Sequence, residues 1–217
     1  MKSQTGWDKV LEVIMPPLRI LSSTKKIQLM IDEIRKAENI QESYSWKYPF
    51  AKLEDLEKLY YNGFGIKEKF EDKGKSTLFI ITIVITLFIG FTSLLYNNSF
   101  MFAFSGLRIV SYILIALSLI YMLMSALLNL KLLSEKNVTY YLNASYFNET
   151  NMDRKKDSIG ESIESNNLMN IIRNNYVSAA FQCIVNAIIL FIVFIVIIFV
   201  NYQIVKTIEN VNYLLLR

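Results

Sequence analysis

Polar side chains recur at helical spacing inside two long apolar runs of this chain. Ser178, Gln182 and Asn186 follow one another at intervals of four, so a helix places them on one face. Hydroxyl and amide groups in such positions either hydrogen-bond across a helix interface or line a water-filled path. A second stripe alternates intervals of three and four and consists of Arg108, Ser111, Ile115, Ser118, Met122, Ser125 and Asn129.

The two stripes have two interpretations. In the first, small and polar residues let helices approach, and hydrogen bonds of about 0.6 kcal/mol each form across a dry interface. In the second, several copies of the chain assemble so that Ser178, Gln182 and Asn186 line an aqueous path, because three spans are too few to enclose one. The aliphatic stretch Ile188–Val200 would then face lipid or form a hydrophobic gate.

The residue types argue against catalysis. The chain contains no histidine, which removes the commonest general base and the commonest metal ligand. Its single cysteine, Cys183, lies within an apolar run and cannot form an intrachain disulfide. The sequence contains no phosphate-binding loop, hydrolase nucleophile motif, zinc-protease motif or dinucleotide fingerprint. We therefore expect a protein that is not an enzyme and needs neither cofactor nor metal.

Three apolar runs without an acidic residue position both stripes: Thr77–Tyr96, Arg108–Leu130 and Val177–Val200. About 20 helical residues cross a hydrocarbon core about 30 Å thick, and each run is long enough. A charge at the bilayer centre costs about 2.5–3.5 kcal/mol, and the runs contain only Arg108, at an edge. The sequence predicts an all-α integral membrane protein with three transmembrane helices and a helical cytoplasmic region.

The pattern divides the chain into five segments. The first, third and fifth segments are polar enough to be helical or loop material in water. The second and fourth segments are the predicted membrane part. We expect a cytoplasmic amphipathic helical region at 1–76, a transmembrane hairpin at 77–130, a cytoplasmic helical and polar segment at 131–176, a third transmembrane helix at 177–200 and an amphipathic tail at 201–217.

Basic residues set the expected orientation. Residues 1–76 contain 14 Lys and Arg, residues 131–176 contain 6, and the connector Asn97–Gly106 contains none. The positive-inside rule places the first two segments in the cytoplasm and the connector outside. Asn-X-Ser/Thr triplets at 137–150 would indicate the opposite side in a secretory protein, but the Asn-rich composition favours chance. We expect a multi-pass protein of the bacterial inner (plasma) membrane with a cytoplasmic N-terminus.

Basic residues also cluster within the predicted cytoplasmic segments. Such clusters bind anionic lipid headgroups at about 1 kcal/mol per residue, which is the simplest interpretation, and a nucleotide or nucleic acid is the alternative. Acidic residues flank each cluster and argue against a nucleic acid. The candidate contacts are Lys25, Lys26, Arg35, Lys36, Arg154, Lys155 and Lys156.

The order of these features resembles a known family. A charged collar, Lys67–Lys75, leads directly into a hairpin of two spans, and an Asn-rich segment, Ser165–Asn175, leads into one further span. Over about residues 65–200 this layout is similar to small helical transmembrane effectors of bacterial antiphage defence systems, of the Pycsar, CBASS and Hailong kinds. The resemblance implies an oligomer that stays inert until a cytoplasmic signal opens it, and that then dissipates the membrane potential or leaks ions.

Two functions are compatible with the sequence. The first is an oligomeric membrane effector that forms a regulated pore or ion channel and perturbs the bacterial membrane in antiviral defence. Its partners would be membrane lipids, further copies of the chain and a cytoplasmic nucleotide, nucleic acid or protein that regulates it. The second is a non-conducting anchor or scaffold that recruits a soluble partner, and the polar stripes would then be dry packing surfaces. A proton-coupled or sodium-coupled transporter is less consistent, because no acidic residue lies within a span.

Overall fold

The computed structural model describes residues 14–36, 51–97, 105–134, 139–142 and 144–215. These residues contain no strand, which confirms the predicted all-α class. Residues 1–13 and 37–50 of the predicted N-terminal region, and most of the connector between the first two runs, lie outside the described residues. The helices are α1 (Pro16–Lys36), α2 (Leu53–Asn97), α3 (Ser105–Ser134), α4 (Ala144–Asn148) and α5 (Met152–Leu215).

Helices α2, α3 and α5 are long and apolar enough to cross a membrane, as predicted. They contain 45, 30 and 64 residues, more than the roughly 20 that a bilayer requires. The excess in α2 and α5 lies mainly in polar extensions before the apolar runs. Helix α5 continues to Leu215, so the predicted amphipathic tail prolongs the third candidate span up to that residue.

Ordinary capping chemistry starts the two longest helices. The Asn151 side-chain oxygen accepts hydrogen bonds from the backbone N–H groups of Asp153 (2.9 Å) and Arg154 (3.4 Å), so it caps α5. Glu54 and Asp55 lie in the first turn of α2, where negative charge interacts favourably with the helix dipole. Asn151 therefore determines where α5 begins, and the acidic first turn stabilises the start of α2.

The chain forms two compact units. Their boundaries fall within about one helical turn of the ends of the three apolar runs, so the packing divides the chain where its hydropathy does. The predicted segments 1–76 and 131–176 fall within the first unit, and most of each apolar run falls in the second. Unit 1 comprises Met1–Ser76 and Leu128–Ala179, and unit 2 comprises Thr77–Leu127 and Ala180–Arg217.

Unit 1 is built around two hydrophobic clusters. The first joins α1 to the last turns of α3 and to the middle of α5, and the second joins the start of α2 to α4 and to the start of α5. The buried members of the first are Ile20, Ile31, Leu132, Met169, Ile172, Tyr176 and Ala179. The buried members of the second are Leu56, Tyr60, Tyr146, Ile159 and Ile163.

Within unit 1, α2 and α5 run in the same direction. Leu56 shares a cluster with Ile159, and Gly63, later in α2, lies against Asn166, later in α5. Helix α2 also approaches α3 closely at Gly74, since a Cβ atom there would lie 2.8 Å from Leu132 Cδ2. Glycine at this position therefore allows the two helices to touch.

Unit 2 has a small interior and an apolar exterior. Its buried cluster contains Phe88, Met122 and Ala187, and the ring centroids of Phe88 and Phe191 lie 3.8 Å apart. Large apolar side chains cover the outside of all three helices in this unit, and they include Phe79, Leu87, Ile109, Leu123, Ile192 and Phe199. An exposed apolar surface of this extent is typical of helices that lie in lipid.

Candidate functional site

Two of the predicted serines in unit 2 donate hydrogen bonds to the backbone of a neighbouring helix. Ser118 Oγ donates to the carbonyl oxygen of Ala187 at 2.8 Å, and Ser125 Oγ donates to that of Ala180 at 2.7 Å. All four residues are fully buried. Because the later serine bonds the earlier alanine, α3 and α5 run in opposite directions. These two contacts form a serine ladder about two helical turns long.

Small side chains on α5 make the serine ladder possible. Ala180, Cys183 and Ala187 are fully buried, and small residues at a helix interface let a partner side chain reach the backbone carbonyls. The third predicted serine, Ser111, is also buried, and its hydroxyl has no hydrogen-bond partner among the described residues. The serines of α3 therefore face the interior of unit 2. Elsewhere on this stripe, Met122 and Asn129 are buried, Ile115 is half-buried and Arg108 is exposed.

The predicted polar residues of α5 have a different environment. Ser178 is exposed, and Gln182 and Asn186 are half-buried. Gln182 Nε2 donates to Asn186 Oδ1 at 3.1 Å, so these two side chains form an amide pair on one face of the helix. The exposed apolar side chains of Phe181 and Ile189 flank the pair. A glutamine amide can form four hydrogen bonds, and Gln182 forms this single one among the described residues.

Hydroxyl groups on the exposed face of α2 are satisfied without a second helix. Thr82 Oγ1 donates to the carbonyl oxygen of Leu78 at 3.0 Å, and Thr86 Oγ1 donates to that of Thr82 at 2.9 Å. Bonds of this kind to the preceding turn remove the cost of placing a hydroxyl against an apolar medium. An amide has no equivalent bond to its own helix that satisfies all of its donors and acceptors.

The predicted basic contacts on α1 are only partly described. Lys25 and Lys26 are exposed, in keeping with a contact to an anionic surface. Arg35 and Lys36 end the helix, and their side chains lie outside the described part of the structure. The second basic cluster lies on a different helix, α5.

The basic cluster on α5 interacts with its own surroundings. Arg154 Nη1 lies 3.8 Å from Glu149 Oε2, and Lys155 Nζ lies 5.6 Å from the centroid of the Tyr146 ring. Lys156 is half-buried. The Arg154 side chain is 75% exposed and its ion pair is long, so this contact contributes little and leaves the charge accessible to solvent.

Sequence reasoning missed a polar contact system in unit 1, around the segment between α3 and α5. We call residues 139–142 and 144–149 the strap. Asn166 Oδ1 accepts a hydrogen bond from the Tyr140 backbone N–H at 3.0 Å, and Asn166 Nδ2 donates to the Tyr140 carbonyl oxygen at 3.2 Å. The asparagine thus bonds both backbone groups of one residue, as a neighbouring strand would.

Two tyrosines hold the strap at further points. Tyr60 Oη of α2 accepts a hydrogen bond from the Leu142 backbone N–H at 3.2 Å. Tyr146 Oη donates to Glu57 Oε1 at 2.9 Å. Burial of the Tyr146 ring, followed by the hydrogen bond to the Glu57 carboxylate, raises the pKa of Tyr146 to about 12. Tyr146 is therefore a neutral donor at physiological pH.

A buried arginine lies farther along α5. Arg173 is 3% exposed, and its Nη1 donates to Asn170 Oδ1 at 2.7 Å. Asn170 Nδ2 in turn donates to the Gly63 carbonyl oxygen of α2 at 3.1 Å. A sequence signal for this network exists, because Asn166, Asn170 and Arg173 recur at helical spacing on the same face as the apolar Ile163. Polar residues that interrupt an apolar stripe in this way indicate buried hydrogen bonds.

The described residues bring hydrogen-bonding groups together at two places, between α3 and α5 in unit 2 and around the strap in unit 1. Among them, no group of three or more His, Cys, Asp or Glu is arranged to hold a metal ion. The chemistry available is hydrogen bonding, either between helices or to a bound segment. No known family matches the chain, and no curated protein and no solved structure shows significant similarity to it.

Proposed function

We propose that the chain is a multi-pass protein of the bacterial inner membrane that assembles into a regulated pore. The single observation that carries this proposal is the amide pair of Gln182 and Asn186, half-buried on the apolar unit 2. The three helices long enough to span a membrane supply the scaffold.

An amide such as that of Gln182 requires further hydrogen-bond partners when it lies on a lipid-facing surface. Hydrocarbon supplies none, and each unsatisfied polar group costs several kcal/mol. Thr82 and Thr86 avoid this cost through their own helix, whereas Gln182 retains unused donor and acceptor capacity. Water in a path between copies, or the amides of another copy, would supply the missing partners. Both solutions require an oligomer.

A conducting path favours α5 as the lining helix. The α3 hydroxyls of Ser118 and Ser125 are consumed within the chain by the carbonyl oxygens of α5. Gln182 keeps hydrogen-bonding capacity on α5 near the start of the third apolar run. In this proposal Gln182 and Asn186 line the path, and Ser178 precedes them by one helical turn on the same helix. In this proposal the aliphatic residues that follow form the gate or the lipid surface.

A non-conducting anchor is the second candidate, and the serine ladder favours it. Ser118 and Ser125 show that hydroxyl groups in this protein serve as dry contacts between helices. The amide pair would then bond its counterpart in a second copy without admitting water. Such a dimer would hold unit 1 at the membrane surface for a soluble partner.

Regulation and an antiviral role rest on the charge distribution and on the resemblance of residues 65–200 to antiphage effectors. The positive-inside rule places unit 1 in the cytoplasm, where a nucleotide, a nucleic acid or a protein would act as the trigger. Helices α2, α3 and α5 each contribute residues to both units without interruption, so a change in unit 1 has a continuous covalent route into the candidate spans.

Liposome leakage and particle mass together test the proposal. The detergent-extracted protein should contain several chains, and it should release ions from liposomes when it is active. The double substitution Gln182→Leu and Asn186→Leu should abolish release, whereas the control Thr86→Val, which also removes an exposed polar group, should retain it. A monomer, or a dimer that releases nothing, favours the anchor. Unchanged release by the double variant would show that the amide pair does not line the path.

A further inference from the structure

We infer that the surface between α2 and α5 in unit 1 is a groove for an extended peptide, and that the strap occupies it in cis. We further infer that the trigger is a protein whose extended segment replaces the strap and thereby opens the pore. All contacts of the groove lie within unit 1. The role of the trigger in opening the pore rests on the proposed function.

The groove recognises the strap largely through its backbone. Asn166 bonds the N–H and the carbonyl of Tyr140, and Tyr60 bonds the N–H of Leu142. The two recognised residues are separated by one, which is the repeat of an extended chain. Backbone contacts of this kind depend little on side-chain identity, so another extended segment can make them.

Side chains of the strap contact both clusters of unit 1. Tyr140 packs against the first cluster and Leu142 against the second, and both are partly buried. Tyr141 between them is 71% exposed, and its ring centroid lies 5.8 Å from that of Phe64 on α2. Tyr146 then inserts its buried ring into the second cluster. The groove thus offers apolar contacts to successive residues of an extended segment, as peptide-binding grooves do.

The charges near the strap favour a peptide over a phosphate ligand. Glu57 accepts the hydrogen bond that the Tyr146 hydroxyl donates at the groove, and its carboxylate would repel an anion. Arg154 is close to Glu149, and Lys155 lies over the Tyr146 ring. Repulsion by Glu57 at the Tyr146 contact therefore disfavours a phosphate there, whereas an uncharged extended segment avoids this repulsion.

Release of the strap would change the connection between α3 and α5. The strap connects the end of α3 to the start of α5, and it is tethered to both, so its local concentration at the groove is high. A segment in trans must therefore compete with this cis occupant. Its success frees the connection between the second and third candidate spans, which is the change that we assign to opening.

Paired substitutions test the cis contact. Asn166→Leu removes both bonds to Tyr140, and the control Asn167→Leu changes the adjacent exposed asparagine. Hydrogen exchange at the Tyr140 amide should accelerate about tenfold or more in the first variant and should be unchanged in the second. Tyr60→Phe, with Tyr61→Phe as its control, removes only the acceptor for the Leu142 amide and serves as a milder second test.

A synthetic peptide tests the trans contact. The peptide of residues 137–149 (NVTYYLNASYFNE) should accelerate exchange at the chain's own strap amides and increase ion release from liposomes. A control peptide with proline in place of Tyr140 and Leu142 lacks the two N–H donors and should do neither. If a cyclic nucleotide added alone opens the pore without change in strap exchange, the assignment of a protein trigger is wrong.

The outcomes separate this inference from the proposed function. Faster exchange and greater release in Asn166→Leu support both. Faster exchange with unchanged release, in a protein whose release still depends on Gln182, overturns the regulatory role and leaves the pore intact. If no variant releases ions from liposomes, the proposed pore is wrong, and the proposed trigger is wrong with it. Unchanged strap exchange in both Asn166→Leu and Tyr60→Phe, or failure of the peptide to affect exchange, overturns the groove itself.

Discussion

Buried polar side chains bond the backbone in two different ways, and each unit provides an example. In unit 2, Ser118 and Ser125 donate to carbonyl groups inside a regular helix, which already have partners in that helix. In unit 1, Asn166 and Tyr60 bond backbone groups of the strap, which is not helical at residues 140 and 142. The serine bonds add to hydrogen bonds that the carbonyl groups of α5 already make. The bonds to the strap take the place of the secondary-structure hydrogen bonds that its backbone lacks, and we call them the second kind. Loss of the second kind should therefore be more costly, because it leaves partly buried backbone groups unsatisfied.

The largest expected effect is in unit 1. Asn166→Leu should lower the free energy of unfolding by about 2–4 kcal/mol, because the Tyr140 N–H and carbonyl each lose their partner. Thermal and denaturant unfolding in detergent measure this. Asn167→Leu, on the exposed side of α5, should stay within about 0.5 kcal/mol of the parent. Equal losses in both variants would contradict the bonding role of Asn166.

A close helix contact should produce the next largest effect. Gly74→Ala should destabilise by about 1–3 kcal/mol, because the new Cβ would lie 2.8 Å from Leu132 Cδ2 and that leucine is buried. Gly65→Ala is the matched control on the same helix. Its Cβ meets nothing within 4 Å, so it should stabilise by about 0.5–1 kcal/mol. Opposite signs at the two glycines, measured in the same denaturant series, would confirm the contact between α2 and α3.

Smaller effects are expected in unit 2. Ser118→Ala and Ser125→Ala should each destabilise by about 0.6 kcal/mol, because the Ala187 and Ala180 carbonyl oxygens keep their helical partners. Thr86→Ala, whose hydroxyl bonds its own helix, provides the comparison for a polar group that does not join two helices. Serine losses as large as that of Asn166→Leu would remove the distinction between the units.

The smallest effect at physiological pH concerns Tyr146, whose pKa of about 12 exceeds the ordinary value of 10.0. A raised folded-state pKa means that the folded state retains the phenol proton longer than the unfolded state does. The stability that depends on this proton is therefore fully present below pH 10 and is lost as the pH rises through about 12. Phenolate absorbance should show a late-titrating tyrosine that Tyr146→Phe removes. An ordinary pKa for this group would show that the hydroxyl is not held by Glu57.

Local properties of the sequence predicted the all-α class and the three candidate spans. The three apolar runs identified three candidate spans, because the length and composition of a contiguous segment decide whether it can cross a bilayer. The helical spacing of Ser118 and Ser125, and of Gln182 and Asn186, also grouped these residues correctly on their helices. Periodicity within one helix requires no knowledge of its neighbours.

Only the tertiary structure decided which polar groups face a partner. Periodicity alone did not distinguish the serines that bond the backbone of α5 from the amides that bond each other, because that difference depends on which helix lies opposite. The strap contacts were beyond sequence reasoning for the same reason: Asn166 and Tyr60 lie 26 and 82 residues from the backbone groups that they bind. Contacts over such separations depend on how helices assemble, and an amide or a phenol in the sequence does not specify the distant group that completes its hydrogen bonds.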